Sequence, residues 1–174
     1  ALKSISDGEI YQNKFVATNC WGTINVSRTY RDARFINISS SSVNDPRSIY
    51  GITKQFSEAI VSRLDNSLNI RLYNVFGEDQ PIESSAVIPS FIRSKLDNLP
   101  PTVYGDGEQQ RDFTYVLDVV ESIKHAMKSN QTGLVHFGYS QSTKVIDLLK
   151  MIYNNHLPQY IQKPARGYEI LDSK

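Results

Sequence analysis

The 174 residues carry 19 Lys and Arg against 18 Asp and Glu, a net charge of +1, with 40% hydrophobic residues and one cysteine. That balance suits one soluble globular domain burying about 70% of its unfolded surface, and it excludes both the strongly basic footprint of a dedicated nucleic-acid binder and an acidic disordered tail. The single cysteine, Cys20, excludes an internal disulfide framework and favours a reducing compartment, and no apolar run approaches the ~18 residues that a membrane span needs.

In chain order, residues 9–31 place Phe15, Val16, Cys20, Thr23, Ile24, Ser27 and Tyr30 at three- and four-residue intervals, which predicts one face of a long helix. Gly22 lies inside it at a cost of about 1 kcal/mol against Ala, so close packing is expected there. A strand over 34–39 runs into four serines, Ser39 to Ser42. A turn holding Asp45 and Pro46 then leads to a helix over 48–64, with Ile52, Phe56, Ile60 and Leu64 along one side.

The pattern repeats with a strand over 68–73 and a helix over 86–96, whose apolar positions are Val87, Ile88, Phe91, Ile92 and Leu96. Short extended pieces are expected over 102–104 and 111–115, flanking a loop with Gly105 and Gly107. Helices over 118–127 and 144–154 bracket a strand over 134–138, and after His156 periodicity fades. Strands alternating with helices predict an α/β layer structure with mainly parallel strands.

Tyr50 and Lys54 carry the sharpest chemical signal. Four residues apart on a helix, they share a face, so an ammonium beside a phenol can favour its phenolate. An unperturbed Tyr titrates near ~10 and is a poor base at neutral pH. A serine at the end of the preceding strand could complete a Ser/Tyr/Lys proton-transfer set, since open α/β sheets bind ligands at the carboxyl ends of their strands. An ordinary exposed i, i+4 pair is the alternative. Arg111 leaves a glycine-bearing loop and could grip a phosphate or face solvent, and Arg166 is a lone loop Arg. Asn19, one turn before Gly22, suits a helix–helix or a cofactor contact equally. His125, His136 and His156 are scattered and lack cysteine pairs, so no metal site is expected.

Taken together, ALKS at Ala1, NCWGT at Asn19, RFINISSSS, YGITK, RLYNVFG at Arg71, AVIPSF at Ala86, TVYGDGEQQRDFTYVLDVV at Thr102 and ARGYEI at Ala165 resemble, in order, the extended short-chain dehydrogenase/reductase superfamily in its NAD-dependent epimerase/dehydratase branch. The resemblance implies a Rossmann-like, doubly wound parallel sheet, present here as its C-terminal half, with a small substrate-binding subdomain. Residues 1–80 would belong to the Rossmann-like part. Residues 81–174 would be mainly substrate-binding, with one strand and helix returning to the core.

It also implies that NAD or NADP takes hydride from a nucleotide-diphosphate sugar while Tyr50 acts as acid/base. Lys54 would lower the Tyr50 pKa and hold the nicotinamide ribose, and Ser40 would be the hydroxyl partner. Lys3 and Asn19 would lie on the cofactor side. Asn74, Arg111 and Arg166 would grip the substrate diphosphate, Ala86 and Val87 would begin the segment that cradles the base, and Ser42 would be a further sugar contact. A cytoplasmic homodimer is expected from the resemblance.

Ser41 and Ser42 stand where the family's dehydratases carry ionisable residues, which disfavours dehydration. The short connection from 43 to 49 resembles sugar 4,6-dehydratases and hexulose 4-reductases, whereas YGDGEQQRDF resembles epimerases. Epimerase is the first expectation, keto-sugar reductase or 4,6-dehydratase the alternative, and a truncated, non-catalytic nucleotide-sugar-binding fragment a further one. The opening on Ala1, with no glycine fingerprint after a first strand, and the close on LDSK are read as truncated ends.

Overall fold

A computed structural model describes residues 1–84 and 86–164. The elements are α1 (Ile5–Ile10), α2 (Gln12–Phe15), a π-helical segment (Val16–Trp21), α3 (Gly22–Thr29), β1 (Phe35–Ser40), a 3-10 turn (Ser41–Val43), α4 (Ile49–Val61), β2 (Ser67–Leu72) and β3 (Val75–Phe76). After these come α5 (Val87–Leu96), β4 (Thr102–Tyr104), β5 (Gln110–Asp112), β6 (Thr114–Tyr115), α6 (Val116–Lys128), β7 (Gly133–Phe137), β8 (Ser142–Lys144), α7 (Val145–Ile152) and β9 (Ile161–Lys163). They fall into two units, residues 1–73 with 118–137, and residues 74–117 with those from 138 onward.

In the first unit, β1, β2 and β7 form a parallel sheet in which Ile38, Ile70 and Val135 share one row and Ser39, Arg71 and His136 the next. Side chains alternate between faces along a strand, so the two rows point to opposite sides. One face is apolar: Leu68 and Ile70 are buried with Ala126 of α6, and Ile36, Ile38, Leu72, Ile123, Val135 and Phe137 pack around them. The other face is polar and meets α4. Asn37 donates to Asn69 at 2.8 Å, and Ser39 donates to Glu58 of α4.

The expected long helix over 9–31 is interrupted at Tyr11 and then runs on from Gln12 to Thr29 through a π-helical turn. The Gly22 N–H reaches the Ala17 carbonyl, an i→i+5 bond that closes the π-helical turn. Close packing at Gly22 is not found, because a Cβ there would meet nothing nearer than the Ala17 oxygen at 4.0 Å. Ile52 and Phe56 of the apolar stripe on α4 face outward, 48% and 39% exposed, while Gly51, Thr53, Lys54, Ser57, Glu58 and Val61 are buried. Hydrogen-bond partners for the polar side make that orientation tolerable.

In the second unit, Phe91 of α5, Val103 of β4 and Val145, Ile146, Leu148 and Leu149 of α7 form the core, with Val87 and Ile88 packed on it. Ile92 and Leu96, expected inward, are exposed. β3 pairs in parallel with β6 and β4 with β9, and β5 pairs antiparallel with β8. The expected 111–115 strand is therefore two pieces, β5 and β6, each with a different partner. β9 lies where periodicity had faded.

Candidate active site

Helix α4 begins where the Ser48 hydroxyl accepts the Gly51 N–H at 3.1 Å, and Glu9 of α1 accepts the Ile49 N–H at 3.0 Å. This start fixes Tyr50 in the first turn and Lys54 one turn later. A Cβ on Gly51 would stand 2.8 Å from the Ser42 carbonyl oxygen and 3.1 Å from Pro46 Cα, so the short connection after β1 lies directly on the helix. Only glycine permits that approach.

Ser40 ends β1 and caps the 3-10 turn by accepting the Ser42 N–H at 3.2 Å, and its hydroxyl donates to that of Ser42 at 3.1 Å. The Ser40 hydroxyl also lies near enough to that of Tyr50 to influence its ionisation. Burial raises the Tyr50 pKa above its ordinary value, and the nearby Ser40 hydroxyl offsets part of that rise. The strand-end serine and the helical tyrosine thus meet at the carboxyl end of the parallel sheet. Ser42 is buried as well as bonded to Ser40.

Lys54 turns toward the strand, and its ammonium donates to the Ile38 carbonyl at 2.5 Å. Burial lowers its pKa, and the negative charge of Glu58 partly offsets that effect. Glu58 accepts Arg71 Nε at 2.8 Å on Oε1 and Arg71 Nη2 at 2.7 Å on Oε2. Arg71 Nη1 donates to Asn44 Oδ1 at 2.8 Å. Beyond these, Tyr73 and His136 share a 2.7 Å hydrogen bond.

Sequence reasoning missed Ser39, Glu58, Arg71 and Asn44. The available signal was Glu58, which extends Tyr-x-x-x-Lys by a further step of four on the same helical face.

Asn19, expected on the cofactor side, has both amide hydrogens committed within the protein, to the Leu2 carbonyl at 2.9 Å and Thr53 Oγ1 at 3.1 Å. Its Oδ1 accepts the Leu2 N–H at 2.8 Å, which holds the segment bearing the exposed Lys3. Its main-chain carbonyl accepts the hydroxyls of Thr23 and Ser57 at 2.7 and 2.9 Å, so Asn19 joins the π-helical segment, α4 and the N-terminal strap.

In the second unit, Asn74 Nδ2 donates to the Asp112 carbonyl at 3.0 Å, which brings it beside Arg111 on β5. Arg111 Nη1 donates to the Gln110 carbonyl at 3.0 Å. Ala86 caps α5, its N–H donating to Ser84 Oγ at 3.2 Å, and Val87 starts the helix. Arg166 lies outside the described residues. Among the described residues no three His, Cys, Asp or Glu side chains gather to hold a metal ion, and no helix is long and apolar enough to cross a membrane.

Comparison with known proteins connects this geometry to a family. UDP-glucuronic acid decarboxylase 4 of Arabidopsis thaliana is 28% identical over 165 residues, covering 80% of this chain and 37% of that protein. A putative UDP-glucose 4-epimerase of Methanocaldococcus jannaschii is 31% identical over 129 residues, covering 71% and 42%.

Among solved structures, a UDP-N-acetylglucosamine 4-epimerase from Methanobrevibacter ruminantium M1, in complex with UDP-N-acetylmuramic acid, superposes with a TM-score of 0.88 at 24% identity, over 98% of this chain and 64% of that one. A dTDP-glucose 4,6-dehydratase from Streptomyces venezuelae, solved with NAD and TYD bound, gives 0.87 at 21%, over 98% and 61%. These likenesses show the α/β Rossmann-like fold, and the chain spans well under half of the two curated relatives and less than two thirds of the two solved chains. The profile of the NAD dependent epimerase/dehydratase family matches residues 1–137. The chain belongs to that family, with Ser40, Tyr50 and Lys54 inside the matched span.

Proposed function

We propose that the chain carries the proton-transfer half of an NAD-dependent nucleotide-sugar epimerase. The observation that carries this reading is the placement of Ser40 at the end of β1 and Tyr50 in the first turn of α4, at the carboxyl end of the sheet, with the buried Lys54 one helical turn on and donating to the Ile38 carbonyl. In this account Tyr50 removes the proton of a sugar hydroxyl, Ser40 hydrogen-bonds the same oxygen as it becomes a carbonyl, and the Lys54 ammonium favours the phenolate. Tyr50 then returns the proton when the sugar is reduced on its other face.

The residues suit the nicotinamide end of NAD. The buried Lys54 ammonium has three N–H donors, of which the Ile38 carbonyl takes one, leaving capacity for a ribose hydroxyl. NAD would supply the hydride acceptor. Lys3 would contact its diphosphate, and Asn19 would act through the strap that bears Lys3. Asn74, Arg111 and Arg166 are assigned to the diphosphate of the sugar nucleotide, Ala86 and Val87 to its base, and Ser42 to the sugar. Epimerisation is preferred to dehydration because Ser41 and Ser42 are hydroxyls that cannot abstract a carbon-bound proton.

A second reading, decarboxylation of a UDP-uronic acid, is favoured by the Arabidopsis relative, and it shares the same first oxidation. Incubation with NAD and either UDP-glucose or UDP-glucuronic acid, with product analysis by NMR, separates the two. The epimerase account expects a 4-epimer from the former and no pentose from the latter.

We further assign a second copy of this chain as partner, in a cytoplasmic homodimer. Val16, Trp21, Ile52 and Phe56 are exposed on the π-helical segment and α4, which pack against each other, so they supply an apolar surface.

A further inference from the structure

Glu58 and Arg71 form an ion pair whose side chains are only 10% and 17% exposed, with two nearly equal N–H···O bonds. Burying two charges costs more than packing two apolar groups of the same size, so such a pair is a poor device for holding a helix on a sheet. Its position suggests another use. Tyr50, Lys54 and Glu58 follow one another at steps of four on α4, giving a stripe of phenol, ammonium and carboxylate.

The carboxylate is held from two strands: by Arg71 from β2 and by the Ser39 hydroxyl from β1. Arg71 in turn holds Asn44, just past the turn that carries Ser42. Ser39 immediately precedes Ser40, and Ile38, whose carbonyl receives Lys54, precedes Ser39.

We propose that Glu58 is a positioning residue for the Tyr50–Lys54 pair: clamped by Arg71 and Ser39, its carboxylate keeps Lys54 an ammonium against the Ile38 carbonyl and seats the strand end bearing Ser40 on α4. The inference rests on the reading of Tyr50 and Lys54 as the proton-transfer pair. Glu58 touches neither substrate nor reacting atoms in this role, and it acts through Lys54 and Ser39.

The other charges on the helices packed against α4, Asp7 and Glu9 of α1, Lys14 of α2 and Arg28 of α3, are exposed to solvent. Tyr50 shares the helix, Tyr73 and His136 are bonded to each other at the strand ends, Cys20 is buried in the π-helical segment, and Glu9 caps Ile49. Glu58 and Arg71 are therefore the opposed charges whose balance Lys54 reports.

The test reads Lys54 directly in the cofactor-free chain, by pH titration of lysine 13Cε signals, with Lys54 assigned through Lys54→Arg. Glu58→Gln keeps the size of the side chain but leaves Arg71 unopposed, so the Lys54 titration should move to lower pH. Arg71→Met leaves the carboxylate unopposed and should move it to higher pH. Opposite shifts support the proposal, and either variant carries the test if the other fails to fold. A pair that is merely structural would lower stability and leave the Lys54 titration where it is. That outcome, or shifts of the same sign, overturns the proposal. Failure of the Tyr50 reading is distinguishable, because it appears as unchanged turnover in Tyr50→Phe, whereas the Lys54 titration requires neither NAD nor substrate.

Discussion

The backbone of Gly51 lies against the Ser42 carbonyl so closely that a methyl group at position 51 would stand 2.8 Å from that oxygen. Helix α4 and the serine turn thus meet main chain to main chain, with Ser40 and Tyr50 flanking that contact. Gly51→Ala should force the two apart. The expected loss is about 1–3 kcal/mol of stability by chemical denaturation, together with a fall in turnover as the hydroxyls separate. Unchanged stability and turnover would mean that the serine turn is freer than this contact implies.

The nearby Ser40 hydroxyl is the influence that lowers the Tyr50 pKa against the upward push of burial. Ser40→Ala removes it and leaves burial alone. The Tyr50 titration should therefore move to higher pH, and at any pH below it a smaller fraction of phenolate should be present. Phenolate absorbance against pH measures this, with the Tyr50 contribution isolated by subtracting the titration of Tyr50→Phe. A midpoint that stays put or falls would remove Ser40 from the proton-transfer set.

Ile52 and Phe56 expose apolar surface on the outer side of α4. If a second copy covers them, replacing both with Ser should shift the protein to a monomer in sedimentation velocity at micromolar concentration, while leaving the circular dichroism spectrum intact. A wild-type chain that already sediments as a monomer would contradict the dimer.

The same two residues explain where sequence reading succeeds and where it stops. Period-four spacing located α4 and the Tyr50–Lys54 face, because helical periodicity depends on local geometry alone. Periodicity does not tell which stripe faces the protein. Thr53, Lys54, Ser57 and Glu58 are buried because the polar face of the sheet and the π-helical segment offer them partners, and those partners lie far away in sequence.

Arg71 was hidden for a similar reason. Within RLYNVFG an arginine on a strand reads as solvent-facing until Glu58 is known to lie opposite. β3, β8 and β9 are two or three residues long, too short to show any alternation. A strand-end serine was legible because the order of elements places the four serines just before the helix, and the family resemblance singled out Ser40 among them.

The central claim is that Tyr50 transfers the proton. Its most direct measurement is the rate of UDP-sugar conversion by Tyr50→Phe against the unaltered chain, at saturating NAD and with cofactor binding checked separately. The account predicts a fall of about 10²–10⁴-fold with NAD binding largely retained. Conversion within about twofold of the unaltered chain would contradict it.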